Sequence, residues 1–341
     1  MRTRLALLPL AALLLTPGVA LAVPPPAAPP PLDAVVALGD SIASGEGAGD
    51  YHDGANADCH RSNHAQLAAA GIPGANVVNL ACSGAETADV LVRGQGGEKP
   101  QVQALREAAE QYRIRLVLIT VGANDAGFTE IVTDCAVGYA LTTASCKDDW
   151  APKVADRLTA LRPRLDSVLA QVRGVLADTG QGDARIVLQS YPSPLPVHNR
   201  WDSRFSRVLH GCPFHDDDAA WARGTFVPLL AATMRDAAQA AAVDFLDLTA
   251  AMDDREVCSP GDEPKWTRGI SLRLKADGTP EAGPGRSPEG VISRESLHPN
   301  ELGHAMLGQC LAGYWSQPTS GVCHREQDGL RFLPVPINGA P

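Results

Sequence analysis

Aromatic residues make up only 5% of this 341-residue chain, and none is interleaved with a cluster of lysine or arginine. A phosphate-backbone footprint is therefore missing, and the formal charge of -10 argues further against a nucleic-acid partner. Zinc spacings are missing as well. His52, His60, His64, His198, His210 and His215 show no HExxH-like pattern and the cysteines form no CxxC pair, so no metal site is expected. Beyond the first residues no apolar run approaches the roughly 20 residues that a membrane span requires. With no internal repeat and no second linker, the chain reads as one domain, expected to be monomeric and without a membrane anchor.

What is there begins with an export signal. Arg2 and Arg4 precede an apolar stretch from Leu5 to Leu15, and Ala20-Leu21-Ala22 offers a small-residue cleavage site. Residues 1–22 are thus expected to be removed and the protein secreted. Loss of the two arginines takes the formal charge from -10 to -12, an acidic balance that serves solubility. Residues 23–32, dominated by PPPAAPPP, read as an extended tether. The folded domain is expected over 33–325 and a C-terminal tail over 326–341. Eight cysteines in an exported chain argue for disulfides. About 105 connectivities are open. Pairing in chain order, Cys59 with Cys82, Cys135 with Cys146, Cys212 with Cys258 and Cys310 with Cys323, closes each loop once and leaves none unpaired.

Ala34 to Leu38 is a short continuous apolar run ending in Gly39-Asp40, which suits a strand buried on both faces. Val77 to Leu80, Leu116 to Val121, Ile186 to Leu188 and Val243 to Leu246 have the same look. Helical stretches at Lys99 to Tyr112, Val154 to Leu176, Ala219 to Ala242 and Glu301 to Tyr314 alternate with these runs. The alternation implies right-handed crossovers, an α/β class and a three-layer α/β/α sandwich around a central parallel sheet of five strands. Ligands of such sheets bind past the carboxyl ends of the strands, which directs attention to residues 39–47, 81–87 and 122–127.

Three segments there and beyond carry chemistry. GDSIASGEG places Ser41 directly after the first strand, where a hydroxyl is exposed and can attack if a base lies beside it; alone, such a serine is more simply a helix N-cap. GAND puts Asn124 after the strongest strand, where its amide can donate to a developing oxyanion, and Ser83-Gly84-Ala85 can present the Gly84 N–H to the same oxygen. ESLHPN leads into the last helix. Pro299 suits the first helical position, His298 can take the proton of Ser41, and Glu295 can orient the ring as the carboxylate of a triad does. His304 reads as packing, and Asp40 as a partner of nearby backbone.

In this order the four blocks, GDSIASGEG, ACSGAET, GAND and ESLHPN, strongly resemble those of the SGNH (GDSL) hydrolase superfamily, and they span Gly39 to Asn300. The resemblance implies a flavodoxin-like fold, a Ser41 nucleophile, a His298 base, and an oxyanion hole from the backbone N–H groups of Ser41 and Gly84 with the Asn124 side chain. It implies cleavage of carboxylic esters through an acyl-enzyme, without a cofactor. The GDSxxSGxG form, the signal and the cysteines look most like the secreted actinobacterial branch of esterases, lipases and phospholipases, in which cysteines close successive loops in chain order. One departure stands out: the family often has Asp three residues before the histidine, where this chain has Glu295. Some relatives use a backbone carbonyl there, so Glu295 enters either by its side chain or by its carbonyl oxygen.

Two rivals accompany this reading. One is an acetyl esterase for carbohydrate or cell-wall polymers; Trp201, Trp221 and Trp266 suit an acyl channel, a sugar platform or plain core packing. The other is an exported binding or adhesion protein on the same scaffold, against which the intact Ser41, Asn124 and His298 argue. The Gly/Pro-rich stretch from Ser259 to Gly290 reads as a flap or a surface loop.

Overall fold

The layers follow from the alternation of side chains along the first strand. In the computed structural model, which describes residues 31–52, 57–141, 145–271 and 292–335, Ala34, Val36 and Leu38 enter one buried apolar cluster and Val35 and Ala37 another. A strand with two apolar faces must be covered on both sides. In chain order the elements are β1 (Asp33–Gly39), α1 (Ser41–Ser44), α2 (Gln66–Ala69), β2 (Asn76–Asn79), α3 (Gln101–Gln111), β3 (Arg113–Thr120), α4 (Phe128–Leu141) and α5 (Lys147–Asp178). There follow β4 (Arg185–Gln189), α6 (Arg204–Leu209), α7 (Asp216–Trp221), α8 (Val227–Ala240), β5 (Asp244–Asp247), α9 (Glu301–Ser316), β6 (Gly321–Arg325) and β7 (Leu330–Pro334). Leu105 of α3, Leu161 and Leu165 of α5 and Met234 of α8 close the first face. Leu67 of α2 with Leu307, Leu311 and Tyr314 of α9 close the second.

The strand order is β2-β1-β3-β4-β5-β6-β7, with every neighbouring pair parallel except β6 and β7. The three-layer α/β class is as expected, but among the described residues the sheet has seven strands, not five. The two additions, GVCHR and LRFLP, are short and mix charged with apolar residues, so neither forms a continuous apolar run. The second lies within 326–341, read as a tail; Leu330 and Phe332 are instead buried against the α9 side. The signal segment, nearly all of the tether and residues 272–290 of the expected flap lie outside the described residues.

Helix α4, with the sequence FTEIVTDCAVGYAL, has no single polar face to announce it. Helix α5 starts at Lys147, before the expected Val154, because one carboxylate oxygen of Asp218 accepts from the amides of Cys146 and Lys147 at 3.0 Å each. The four disulfides are Cys59–Cys82, Cys135–Cys146, Cys212–Cys258 and Cys310–Cys323, the chain-order pairing. From β1 the chain crosses to β2 on one side and then to β3 on the other. The crevice past the ends of β1 and β3 is therefore the switch point at which α/β sheets hold ligands.

Candidate active site

Ser41 reaches that crevice on a turn only glycine permits. Gly39 has φ of +128°, and a Cβ on it would lie 1.8 Å from the Thr120 carbonyl oxygen of β3. Gln101 braces the turn from α3, its Oε1 accepting from the Gly39 amide at 2.7 Å and its Nε2 donating to the Gly39 carbonyl at 2.9 Å. Asp40 caps the single-turn helix α1, accepting from the Ile42 amide at 3.2 Å.

His298 arrives from the far end of the chain. Its Nε2 lies 2.7 Å from Ser41 Oγ and its Nδ1 3.0 Å from the Ser296 carbonyl oxygen. The carbonyl can only accept, so Nδ1 carries the proton and Nε2 faces the serine as acceptor. Gly47, at φ +90°, makes room for this loop: a Cβ there would stand 2.3 Å from the Pro299 carbonyl oxygen and 3.1 Å from His298 Cβ. Pro299 lies just outside the last helix, which begins at Glu301 and is capped by Asn300. Burial lowers the His298 pKa below the usual imidazole value. The Glu46 charge and the Ser296 bond oppose that, Arg294 adds to it, and Glu295 opposes it more weakly than Glu46 does.

The remaining blocks are drawn to the same turn. The Cys82 amide donates to the Gly39 carbonyl at 3.0 Å, which places Gly84 two residues beyond the strand end that carries Ser41. Asn124 donates from Nδ2 to the Ala85 carbonyl at 3.0 Å, and Asp125 accepts from the Thr87 amide and hydroxyl at 2.9 and 2.6 Å. The amides of Ser41 and Gly84 have no hydrogen-bond partner among the described residues, and Asn124 keeps a second amide hydrogen. Tyr191, just past β4, donates to Asp40 at 2.5 Å and accepts from the Ala123 amide at 3.2 Å, bridging the Ser41 turn and the Asn124 loop. Burial pushes the Asp40 carboxyl up to about 7, against the Tyr191 and Ile42 hydrogen bonds that pull it down.

Glu295 requires correction. Its carboxylate does not meet His298; it accepts from the Tyr51 hydroxyl at 2.6 Å and lies 3.5 Å from Arg268 Nε. The carbonyl that holds the imidazole belongs to Ser296, because a left-handed turn at Leu297 (φ +62°) folds the chain back so that residue 296 faces the ring. Sequence reading also missed Glu46, Tyr191 and Ser296. An acid between the two glycines of SGEG was the one available signal for Glu46. Trp266 is 3% exposed in the core, Trp201 stacks on His210 and Trp221 on Phe226, so all three are occupied by packing. His304 is buried with Nε2 3.1 Å from the Glu46 carbonyl, as a packing residue would be.

Residues 37–306 match the GDSL-like Lipase/Acylhydrolase family, a span that contains Ser41, Gly84, Asn124 and His298. The chain belongs to this family. Within it, the chain is 30% identical over 245 residues to a Streptomyces coelicolor protein named Lipase 2, covering 70% of this chain and 77% of that one. It is 34% identical over 187 residues to a Streptomyces rimosus protein named Lipase, covering 53% of this chain but only 62% of that relative's length. Among solved structures, the phospholipase A1 of Streptomyces albidoflavus NA297 superposes with a TM-score of 0.53 at 26% identity, covering 81% of this chain and 95% of that one. The GDSL family assignment agrees with the order of the four blocks along the sheet.

Proposed function

We propose that this chain is a secreted serine hydrolase of carboxylic esters, with an acyl lipid as the substrate class. The observation that carries the reading is the 2.7 Å contact between His298 Nε2 and Ser41 Oγ, with the other ring nitrogen held by a carbonyl. Burial keeps the imidazole neutral and ready to accept at neutral pH. Ser41 Oγ attacks the ester carbonyl carbon as its proton passes to His298 Nε2. The carbonyl oxygen becomes an oxyanion, received by the Ser41 and Gly84 amides and Asn124 Nδ2. Collapse expels the alcohol, which takes the proton from His298 and leaves an acyl-serine. Water, deprotonated by the same histidine, releases the carboxylic acid and restores Ser41. Every step closes with protein groups and water.

The names of the similar Streptomyces proteins support a lipid ester over a glycan ester. The apolar run and cleavage site at residues 1–22 and the four disulfides support export. The test is labelling by a fluorophosphonate, together with turnover of a chain-length series of acyl esters beside a phospholipid and an acetylated glycan. Wild type is expected to label and to prefer an acyl lipid. Ser41→Ala is expected to do neither, and wild-type turnover by that variant would sink the mechanism.

A further inference from the structure

A base held by a carbonyl has a neutral dipole behind it where a triad has an anion, yet the reaction makes the imidazole positive. The structure contains a buried anion in the right neighbourhood. Glu46 is fully buried, and every part of it is tied to a different piece of the site. Its amide donates to the Ser41 carbonyl at 2.9 Å and its carbonyl faces His304 Nε2 at 3.1 Å. The carboxylate accepts from Ser83 Oγ at 2.6 Å, lies 2.9 Å from His60 Nδ1, and is faced by Tyr51 at 3.5 Å and Arg294 at 4.0 Å.

Ser83 is held completely. Its amide donates to the Cys59 carbonyl at 3.0 Å, its hydroxyl to Glu46, and its carbonyl accepts from Gln95 at 2.7 Å and Arg294 at 3.3 Å. The Gly84 N–H shares a peptide plane with the Ser83 carbonyl, so the Gln95 and Arg294 bonds fix its direction while the Glu46–Ser83 bond ties the loop that carries it to the turn at Ser41.

We propose that Glu46 is a positioning residue of the hydrolytic site. It locks the Ser83–Gly84 loop onto the nucleophile turn and supplies the fixed negative charge that stabilises the His298 imidazolium without touching it. The proposal rests on the ester-hydrolase reading above. Burial alone would raise the Glu46 carboxyl, but the His60 bond, the His298 and His60 charges and the Ser83 bond outweigh it and hold the group down at about 2. It is thus an anion throughout the working pH range. Among the described residues, Arg294 opposes the imidazolium, Glu295 supports it less than Glu46 does, and His304, buried and with its own pKa lowered by burial, is the further titratable neighbour.

The experiment compares the full-length wild type with Glu46→Gln and Glu46→Asp on short-chain nitrophenyl esters across pH. Glu46→Gln, melting close to wild type, is expected to lose about tenfold or more in kcat with KM within about twofold. The acid limb of its pH–rate profile is expected to move to lower pH, because the charge favouring protonated His298 is gone. That displacement should persist at ~1 M salt, since buried charges are screened little. Glu46→Asp is expected to return the acid limb to the wild-type position. A Glu46→Gln enzyme with wild-type kcat and an unmoved acid limb overturns the proposal. If that variant does not fold, Ser83→Ala decides: a lower kcat with unchanged KM supports the loop lock, and wild-type kcat overturns it. A wild type lacking Ser41-dependent turnover would sink the hydrolase reading itself, an outcome distinct from an active enzyme indifferent to residue 46.

Discussion

Glu295 places its carboxylate 2.6 Å from the Tyr51 hydroxyl, and that same hydroxyl accepts from the Gly47 amide at 3.0 Å. The acid three residues before His298 therefore braces the turn after Ser41 and leaves the imidazole to the Ser296 carbonyl. Neutralising a carboxylate bonded directly to the base of a triad costs about 10⁴ in kcat. Glu295→Gln is expected to keep kcat within about tenfold of wild type, measured by steady-state ester hydrolysis.

Gly47→Ala is expected to be far more damaging. Its φ of +90° strains any other residue, and the added Cβ would stand 2.3 Å from the Pro299 carbonyl oxygen, backbone that cannot yield as a side chain could. The loop carrying His298 must shift. A displacement near 1 Å costs about 10² in rate, so kcat should fall by about that factor while fluorophosphonate labelling slows in parallel and the melting temperature drops.

Asp40 sets a pH dependence of stability. Its folded pKa is pushed up to about 7 by burial, above the ordinary 3.8, so between those values the folded state binds the extra proton. Its contribution is fully present below about pH 4 and is lost as pH rises through about 7. Asp40→Asn can still accept from the Ile42 amide and never ionises. From pH 4 to 8 its melting temperature should fall less, relative to its own acidic value, than that of wild type.

The Cys59–Cys82 bridge closes a separation of 23 residues and ends one residue before Ser83. Replacing both cysteines by alanine is expected to cost about 3 kcal/mol of stability. Because the Ser83 amide also bonds the Cys59 carbonyl, the Ser83–Gly84 loop should loosen too. The checks are chemical denaturation and kcat in parallel, with kcat falling at temperatures well below the unfolding transition.

Much of this architecture was open to reading along the chain, for a definite reason. Strands β1, β3, β4 and β5 are largely buried, so their apolar runs are continuous, and Ser41 and Asn124 lie just past the ends of two of them; β2, half exposed at the sheet edge, is marked only by its Val77-Val78 pair. His298 was found because it precedes a capped helix. Strands β6 and β7, at one end of the sheet, were hidden by their mixed polarity, and α4 by apolar residues on all sides. The holder of the imidazole could not be read because a backbone carbonyl has no residue identity, and only the left-handed turn at Leu297 decides which one faces the ring. Glu46 escaped for another reason: its partners sit at positions 60, 83 and 294, far apart until the chain is folded.

The 257-residue separation between Ser41 and His298 also bears on when the chain becomes reactive. During synthesis Ser41 emerges among the first residues of the domain, while His298 comes just before α9. A chain not yet extended to residue 298 thus holds Ser41 without the imidazole that faces its hydroxyl in the folded domain. On the proposed mechanism, reactivity waits until the His298–Pro299 segment docks against the turn at Gly47, so completion of folding is itself the activation step.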